Sequence, residues 1–398
     1  MESRLNRRIH AFNPISHNSK SHIRGRHCLK FHWTFAVLLG LGEGEVLGQS
    51  SAPSGGRSYD EASQVYRSPA LLGRGNTGIA IADEEEAIFY NPAGLALGKG
   101  IYKRTVLVSP TVQMSQNTRD IARRLGAENA DAIDTVQDAM GRPNHFGLGN
   151  FSGIMLRRAA FGVVTQGSVD LLAFKDPELG GLEVVRAQGS QTTGATFTLA
   201  ESFGKGHFFA GITGKYLMRG KGEIEASSIE IDKVKEKLQD QGDFLGYGSG
   251  TGADVGLMFQ SGGRVNKALG VTIHDVGDTS ILPQEQTALD LDLKQTINVG
   301  FAIEPSTLTS KLKLLADYRD VAGKAIRNPY KRVHLGAELT VFDMIGATGG
   351  LHHGYGSGGF FIDIHLVRLD LGFYTEEVGS RMGTRPDTRY FFGLEVGF

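Results

Sequence analysis

The residues that could do chemistry are few and scattered. His352 and His353 stand together in LHHGYGSGG, and His274 stands beside Asp275. Adjacent imidazoles suggest a metal, but no third ligand follows at a recognisable spacing. They read as exposed or lumenal histidines, and neither a metal nor any other cofactor is expected. GYGSGG, Gly354 to Gly359, is not a phosphate cradle, because no Lys-Ser/Thr follows and no strand-to-helix context surrounds it. No G-x-S-x-G elbow presents a nucleophilic serine. The acidic run Glu84–Glu86 reads as a solvated or helix-starting charge cluster. No catalytic constellation emerges, and the chain does not read as an enzyme.

One short stretch carries a different kind of information. EEEAIFYNPAGLALG, Glu84 to Gly98, runs from acids into an apolar patch and breaks at Asn-Pro. Pro92 fixes its own φ and biases Asn91 away from helix, while Asn91 can hydrogen-bond its own turn. Ala93 and Gly94 are small enough for close approach to another surface. Taken alone, such a turn merely ends a short helix. What it is worth depends on the elements around it.

Those elements are dominated by a period of two. In RYFFGLEVGF, the last ten residues, Tyr390, Phe392, Leu394, Val396 and Phe398 share one face; Arg389, Phe391, Gly393, Glu395 and Gly397 share the other. KALGVTIHD, KLKLLADYR and VHLGAELTV repeat the pattern, with Leu269, Val271 and Ile273, then Leu312, Leu314, Ala316 and Tyr318, then Val333 to Val341 in alternation. Alternation over nine or ten residues is longer than the roughly 5–6 residues of a sandwich strand and matches a tilted strand crossing a bilayer. One face is aliphatic or aromatic and the other carries charge, glycine and threonine, the pattern of lipid outside and water inside. The segments number about fourteen, and the connections alternate long and short from the C-terminus backward, as in a bacterial outer-membrane barrel with both termini in the periplasm. GYGSGG counts among the moderate connections. The expected fold is therefore all-β: a transmembrane antiparallel barrel of about fourteen strands over 101–398. Asp120–Met140 and Glu230–Gln241 read as short helices in outer loops.

Composition agrees. The chain has 398 residues, 55 of them glycine against 11 proline, and a formal net charge of -1. Glycine at this level without a collagen period argues against a compact helical enzyme, and the neutral balance argues against a nucleic-acid partner. Residues 1–50 read as a signal peptide with a long basic lead. Its apolar core WTFAVLLGLG, Trp33 to Gly42, is too short for a membrane helix of about 20 residues. The only cysteine, Cys28, lies in that leader, so the mature chain would hold none. Residues 51–100 remain as a segment to occupy a lumen too wide for side chains to fill.

GRGNTGIAIADE followed by AIFYNPAGLA resembles the N-terminal signature shared by the long-chain fatty-acid transporter family (FadL-like) and the PorV-like proteins of type IX secretion. The resemblance implies a plug, or hatch, inside a fourteen-stranded barrel, with Asn91, Pro92, Ala93 and Gly94 at a turn lining the ligand path. It implies a hydrophobic small molecule, such as a fatty acid or hydrocarbon, as the cargo, and outer-membrane lipid around the wall. A PorV-like barrel that docks secreted proteins is the alternative, and a soluble β-rich periplasmic protein a third. Gly393, Val396 and Phe398 resemble the signal read by the barrel-assembly machinery, with Phe391 in place of the usual polar residue. No marker of a lateral wall opening is legible.

Overall fold

The computed structural model describes residues 64–398, apart from 99, 119–140, 177–181, 228–243, 285–288, 308, 380, 381 and 384. The leader and both expected outer-loop helices lie outside the described residues.

Fourteen antiparallel strands form one closed barrel. The first, β1, is split into Tyr102–Val108 and Thr111–Ser115. There follow β2 (Pro143–Leu156), β3 (Ala159–Asp176), β4 (Leu182–Phe203), β5 (Phe208–Ser227), β6 (Gly246–Gln260) and β7 (Val265–His274). The second half is β8 (Thr296–Pro305), β9 (Ser310–Tyr318), β10 (Val333–Val341), β11 (Ile345–His352), β12 (Tyr355–Asp363), β13 (Val367–Glu377) and β14 (Pro386–Gly397). Each strand pairs with its sequence neighbours, and β14 closes on β1 through Arg389↔Ser115, Gly393↔Thr111 and Val106↔Gly397. Closure leaves no edge, which is the condition for carrying a sheet through hydrocarbon.

The faces fall as the alternation predicts. Leu269, Val271, Leu314, Leu335, Leu339, Leu371, Tyr390 and Phe392 are exposed on the outside, while Thr272, Asp317, His334, Glu338, Arg389 and Glu395 are buried inside. The outward apolar band is the surface a bilayer covers, and the barrel is a bacterial outer-membrane protein by that construction. Several inward charges are paired: Lys215 lies 2.7 Å from Asp254 and 2.8 Å from Asp275, and Arg389 lies 2.7 Å from Asp387 and 3.0 Å from Glu376.

Three features differ from expectation. GYGSGG is no loop. His353 and Gly354 take positive φ (50° and 81°) and close a two-residue hairpin, so Tyr355–Asp363 continues as strand β12. Strands β3, β4 and β5 run 18, 22 and 20 residues, about twice what the bilayer needs, so this side of the wall rises beyond the membrane. The first strand is interrupted at Ser109–Pro110, where proline removes a ladder donor.

The segment before β1 folds inside the barrel. Pro69–Leu72 forms α1, Glu85–Phe89 forms α2, and Pro92–Ala96 is a 3-10 turn. Nearly every residue from Tyr66 to Leu97 is buried. The main apolar core is therefore not between two sheets but between this plug and the wall. It joins Leu71, Ile88, Phe89 and Leu95 to Phe151, Met155, Val164, Phe209 and Met258.

Candidate functional site

The plug has too little regular structure to hold itself together, so its backbone groups must find partners on the wall. Asp317 of β9 accepts the N–H groups of Gly78 (2.8 Å) and Ile79 (3.2 Å). Ser357 of β12 accepts from Gly75 N–H (3.0 Å) and donates to Gly73 C=O (3.1 Å). Arg67 grips Glu376 of β13 with two bonds, at 2.9 and 3.2 Å, and Arg74 pairs with Glu338 of β10. Bidentate and charge-assisted bonds of this kind fix geometry as well as supplying energy. They tie the plug to the side built from short strands.

The Asn-Pro turn ties it to the other side. Asn91 caps the 3-10 turn with extended backbone (φ -156°), and its Oδ1 accepts from Ala93 N–H at 3.1 Å. Its Nδ2 donates to Ile79 C=O within the plug (2.7 Å) and to Leu257 C=O on β6 (3.2 Å). One side chain thus closes its own turn, joins two plug segments and reaches the wall. Asn91 and Ala93 are wholly buried, and Pro92 occupies the first position of the turn.

The close approach to the wall comes from a different place than the sequence suggested. A Cβ on Gly94 would overlap the plug's own Ala82 carbonyl, so this glycine serves plug folding. Against the wall the missing side chains are those of Gly211 on β5, whose Cβ would overlap Pro92, and Gly256 on β6, whose Cβ would overlap Asn91 Oδ1. Sequence reasoning passed over both. The parity was available, since Gly256 shares the inward face of β6 with Gly248, Gly250 and Gly252.

The acidic run begins a helix as expected, with Glu84, half-exposed, before α2 and Glu85 and Glu86 in its first turn, but only Glu84 reaches solvent. Glu85 and Glu86 are buried, and Ser68 donates to Glu86 at 3.0 Å. Burial first, then the charges of Glu395, Glu86 and Glu84, push the Glu85 carboxyl well above the usual carboxylate range. Glu395 itself is paired with Arg104 at 2.6 Å.

Beside the plug the wall has a defect. The ladder between β1 and β2 holds at Val106↔Gly153 and resumes at Thr111↔Gly149, so four residues, Leu107–Pro110, face three, Asn150–Ser152. Side chains fill in: Asn150 Oδ1 accepts from Ser109 N–H (3.1 Å), and Ser152 donates to Leu107 C=O (2.7 Å). Phe151, between them, points inward and is fully buried. Its ring meets those of Tyr66 (5.8 Å) and Phe89 (5.6 Å, edge-on), which touch each other at 4.9 Å. An apolar, aromatic seam between plug and wall therefore lies next to the interrupted ladder.

Of the residues in the expected assembly signal, Gly393 meets the plug, since a Cβ there would lie 2.5 Å from Pro69. Phe391 packs inward with Tyr374 and Leu72, and Phe398 is exposed. Of the histidines read as exposed or lumenal, His352 and His353 are lumenal and buried, and His274 is half-buried. His352 and His353 stack at 4.2 Å, and Glu376, distant in sequence, joins them; His274 stands apart, 3.6 Å from Asp254.

No protein-family model matches the chain, and no curated protein does. Among solved structures the chain is similar to the CymD monoaromatic hydrocarbon channel (10% identity, 85% of this chain and 98% of that one, TM-score 0.47). It is also similar to the P. putida toluene transporter TodX (9% identity, 82% and 95%, TM-score 0.42). A third is CdiB from Acinetobacter baumannii (9% identity, 75% and 61%, TM-score 0.34). Likeness at this level carries no argument about function, and the geometry must carry it. The chain is a fourteen-stranded outer-membrane β-barrel whose lumen is occupied by its own N-terminal plug.

Proposed function

We propose that this barrel passes small hydrophobic molecules across the outer membrane, along the seam between plug and wall. The observation that supports it is the Tyr66–Phe89–Phe151 cluster beside the interrupted β1–β2 ladder. The lumen of such a barrel is ordinarily polar. A greasy strip inside it gives an apolar solute a route through the hydrophilic outer leaflet without entering water. The position of the defect suggests where the route leaves the lumen: sideways at Leu107–Pro110, where side chains, not a continuous ladder, close the wall. The Asn91–Gly94 turn holds the plug against β5 and β6 and sets how far the seam can open. The assembly machinery reading the Gly393, Val396 and Phe398 end belongs to the same proposal.

Uptake of a labelled monoaromatic hydrocarbon and of a labelled fatty acid by cells carrying the barrel tests it. Asn91→Ala should change uptake or permit leakage of small polar solutes while the barrel still assembles. Unchanged uptake and leakage, with a secreted protein co-purifying instead, would favour the docking alternative.

A further inference from the structure

Three histidines and one glutamate from strands β10, β11 and β13 and one hairpin turn meet at the outer end of the lumen. His334 lies on β10, His352 ends β11, His353 forms the turn after it, and Glu376 lies on β13. All four are buried, with exposures of 1%, 1%, 5% and 1%. His334 Nδ1 lies 2.9 Å from the plug's Gly75 carbonyl, and a carbonyl can only accept, so that nitrogen carries the proton. Its Nε2 lone pair is left buried without a partner, as are both ring nitrogens of His352 and Nδ1 of His353. Buried polar atoms seldom stay unpaired, and four ring nitrogens without partners in one cluster call for an occupant. A histidine that donates one N–H to a backbone carbonyl and turns its other nitrogen inward has the arrangement of a metal ligand with its outer partner in place.

From this geometry we infer that His352, His353 and Glu376, with His334, bind one divalent transition-metal ion, zinc by donor type. Imidazole and carboxylate donors in a closed, buried set suit zinc in tetrahedral coordination. One donor atom each from His352, His353 and Glu376 already lies within 4.8 Å of the others. Two imidazoles on one tetrahedral ion, with metal–nitrogen bonds of about 2.0–2.1 Å, hold their ring centres roughly 5 Å apart. His334 stands 5.1 Å from His352 and 5.3 Å from His353. The stacked pair His352–His353, at 4.2 Å, must splay by about 1 Å to share the ion. The arginines nearby do not preclude it. Glu376 Oε2 takes Arg67 (2.9 Å) and Arg389 (3.0 Å); among the described residues Oε1 accepts only the second, longer Arg67 bond (3.2 Å), keeps a lone pair, and lies 3.9 Å from His353 Nδ1. Arg389 is also balanced by Asp387 and Asp170. The ion would staple the short-strand side of the wall to the plug through His334 and Gly75, with no need for it to be transported.

The test uses the full-length mature barrel without a polyhistidine tag, folded in detergent, exposed to zinc chloride and then dialysed. Elemental analysis should find about one zinc per chain, and zinc should raise the unfolding temperature. Cobalt substitution should give the visible absorption of a tetrahedral nitrogen–oxygen site. His353→Gln and His352→Ala should each lose the bound metal and the thermal shift, while His207→Ala, outside the cluster, keeps both. Heat-modifiable gel migration shows that each variant is folded. If folded wild-type protein retains no zinc, or if His353→Gln retains as much as wild type, the inference fails. It does not depend on transport, so failure of one leaves the other standing.

Discussion

Substituting Gly256 by alanine tests whether the plug is held by close packing against a glycine on the wall. A methyl there would overlap Asn91 Oδ1 and stand 2.9 Å from Pro92 Cδ and 3.1 Å from Ala93 N, so the turn must move away from β6. Three hydrogen bonds then stretch or break: Asn91 to Leu257, Asn91 to Ile79, and Ala93 N–H to Asn91. At about 0.5–1.5 kcal/mol each, the loss of plug stability is roughly 1.5–4.5 kcal/mol, with one of the three bonds, to Leu257, being the tie to the wall. The control is Gly349→Ala on β11, where a Cβ meets nothing within 4 Å. There the change should be neutral or gain up to about 1 kcal/mol by restricting the unfolded chain. The assay is limited proteolysis of the plug in folded barrels, with entry of a small hydrophilic antibiotic as a second readout. Gly256→Ala should speed cleavage within 65–97 and admit the antibiotic; Gly349→Ala should do neither. Identical behaviour of the two variants would refute the packing argument.

Further predictions follow from other contacts. Leu371→Arg, in the middle of the lipid-facing side of β13, should cost about 2–4 kcal/mol in urea titrations of vesicle-embedded barrel, and a loss under 1 kcal/mol would mean that this face is not in hydrocarbon. Glu85 titrates above its unfolded value, so the fold gains from its neutral form below the unfolded value near 4.5 and loses that gain as pH rises through the folded one. Glu85→Gln should therefore raise the urea midpoint at pH 8 and leave it unchanged near pH 4; the opposite trend would show that the carboxylate is ionised in the fold. Asp317→Ala leaves the N–H groups of Gly78 and Ile79 buried and unpaired, and about 2 kcal/mol or more of plug stability should go with them, read as hydrogen exchange at those two amides.

Much of the fold could be read from alternation because a membrane strand shows its two solvents directly. Leu269, Leu314, Leu335 and Phe392 face outward, and Thr272, Asp317 and Arg389 inward, as their parity requires. What alternation cannot show is what fills the inside. Glu395 faces inward as its parity requires, but it is buried against Arg104 at 2.6 Å, so Glu395→Arg breaks a buried pair and sets two like charges together. The same blindness hid the histidine cluster, since His334, His352 and Glu376 meet through strand pairing and the curvature of the wall from β10 to β13 and not through spacing. GYGSGG was misread because glycine marks loops by composition, whereas here positive φ at only His353 and Gly354 suffices for the turn. The Asn91–Gly94 turn was legible as local chemistry, but its wall partners Gly211 and Gly256 were not, because the absence of a side chain leaves no signature beyond parity.

The central claim is a hydrophobic path along the plug–wall seam, and one uptake measurement tests it most directly. Cells with an intact lipopolysaccharide layer and no other hydrophobic channel would carry wild-type barrel, Phe151→Arg, or no barrel, and take up labelled toluene and labelled oleate. Phe151 is fully buried at the seam, so an arginine there places charge on the proposed path. Wild type should accelerate uptake of at least one of the two solutes over cells without the barrel, and Phe151→Arg, still heat-modifiable in the outer-membrane fraction, should abolish the gain. Uptake by wild type equal to that of cells without the barrel, or a full gain retained by folded Phe151→Arg, would contradict the account.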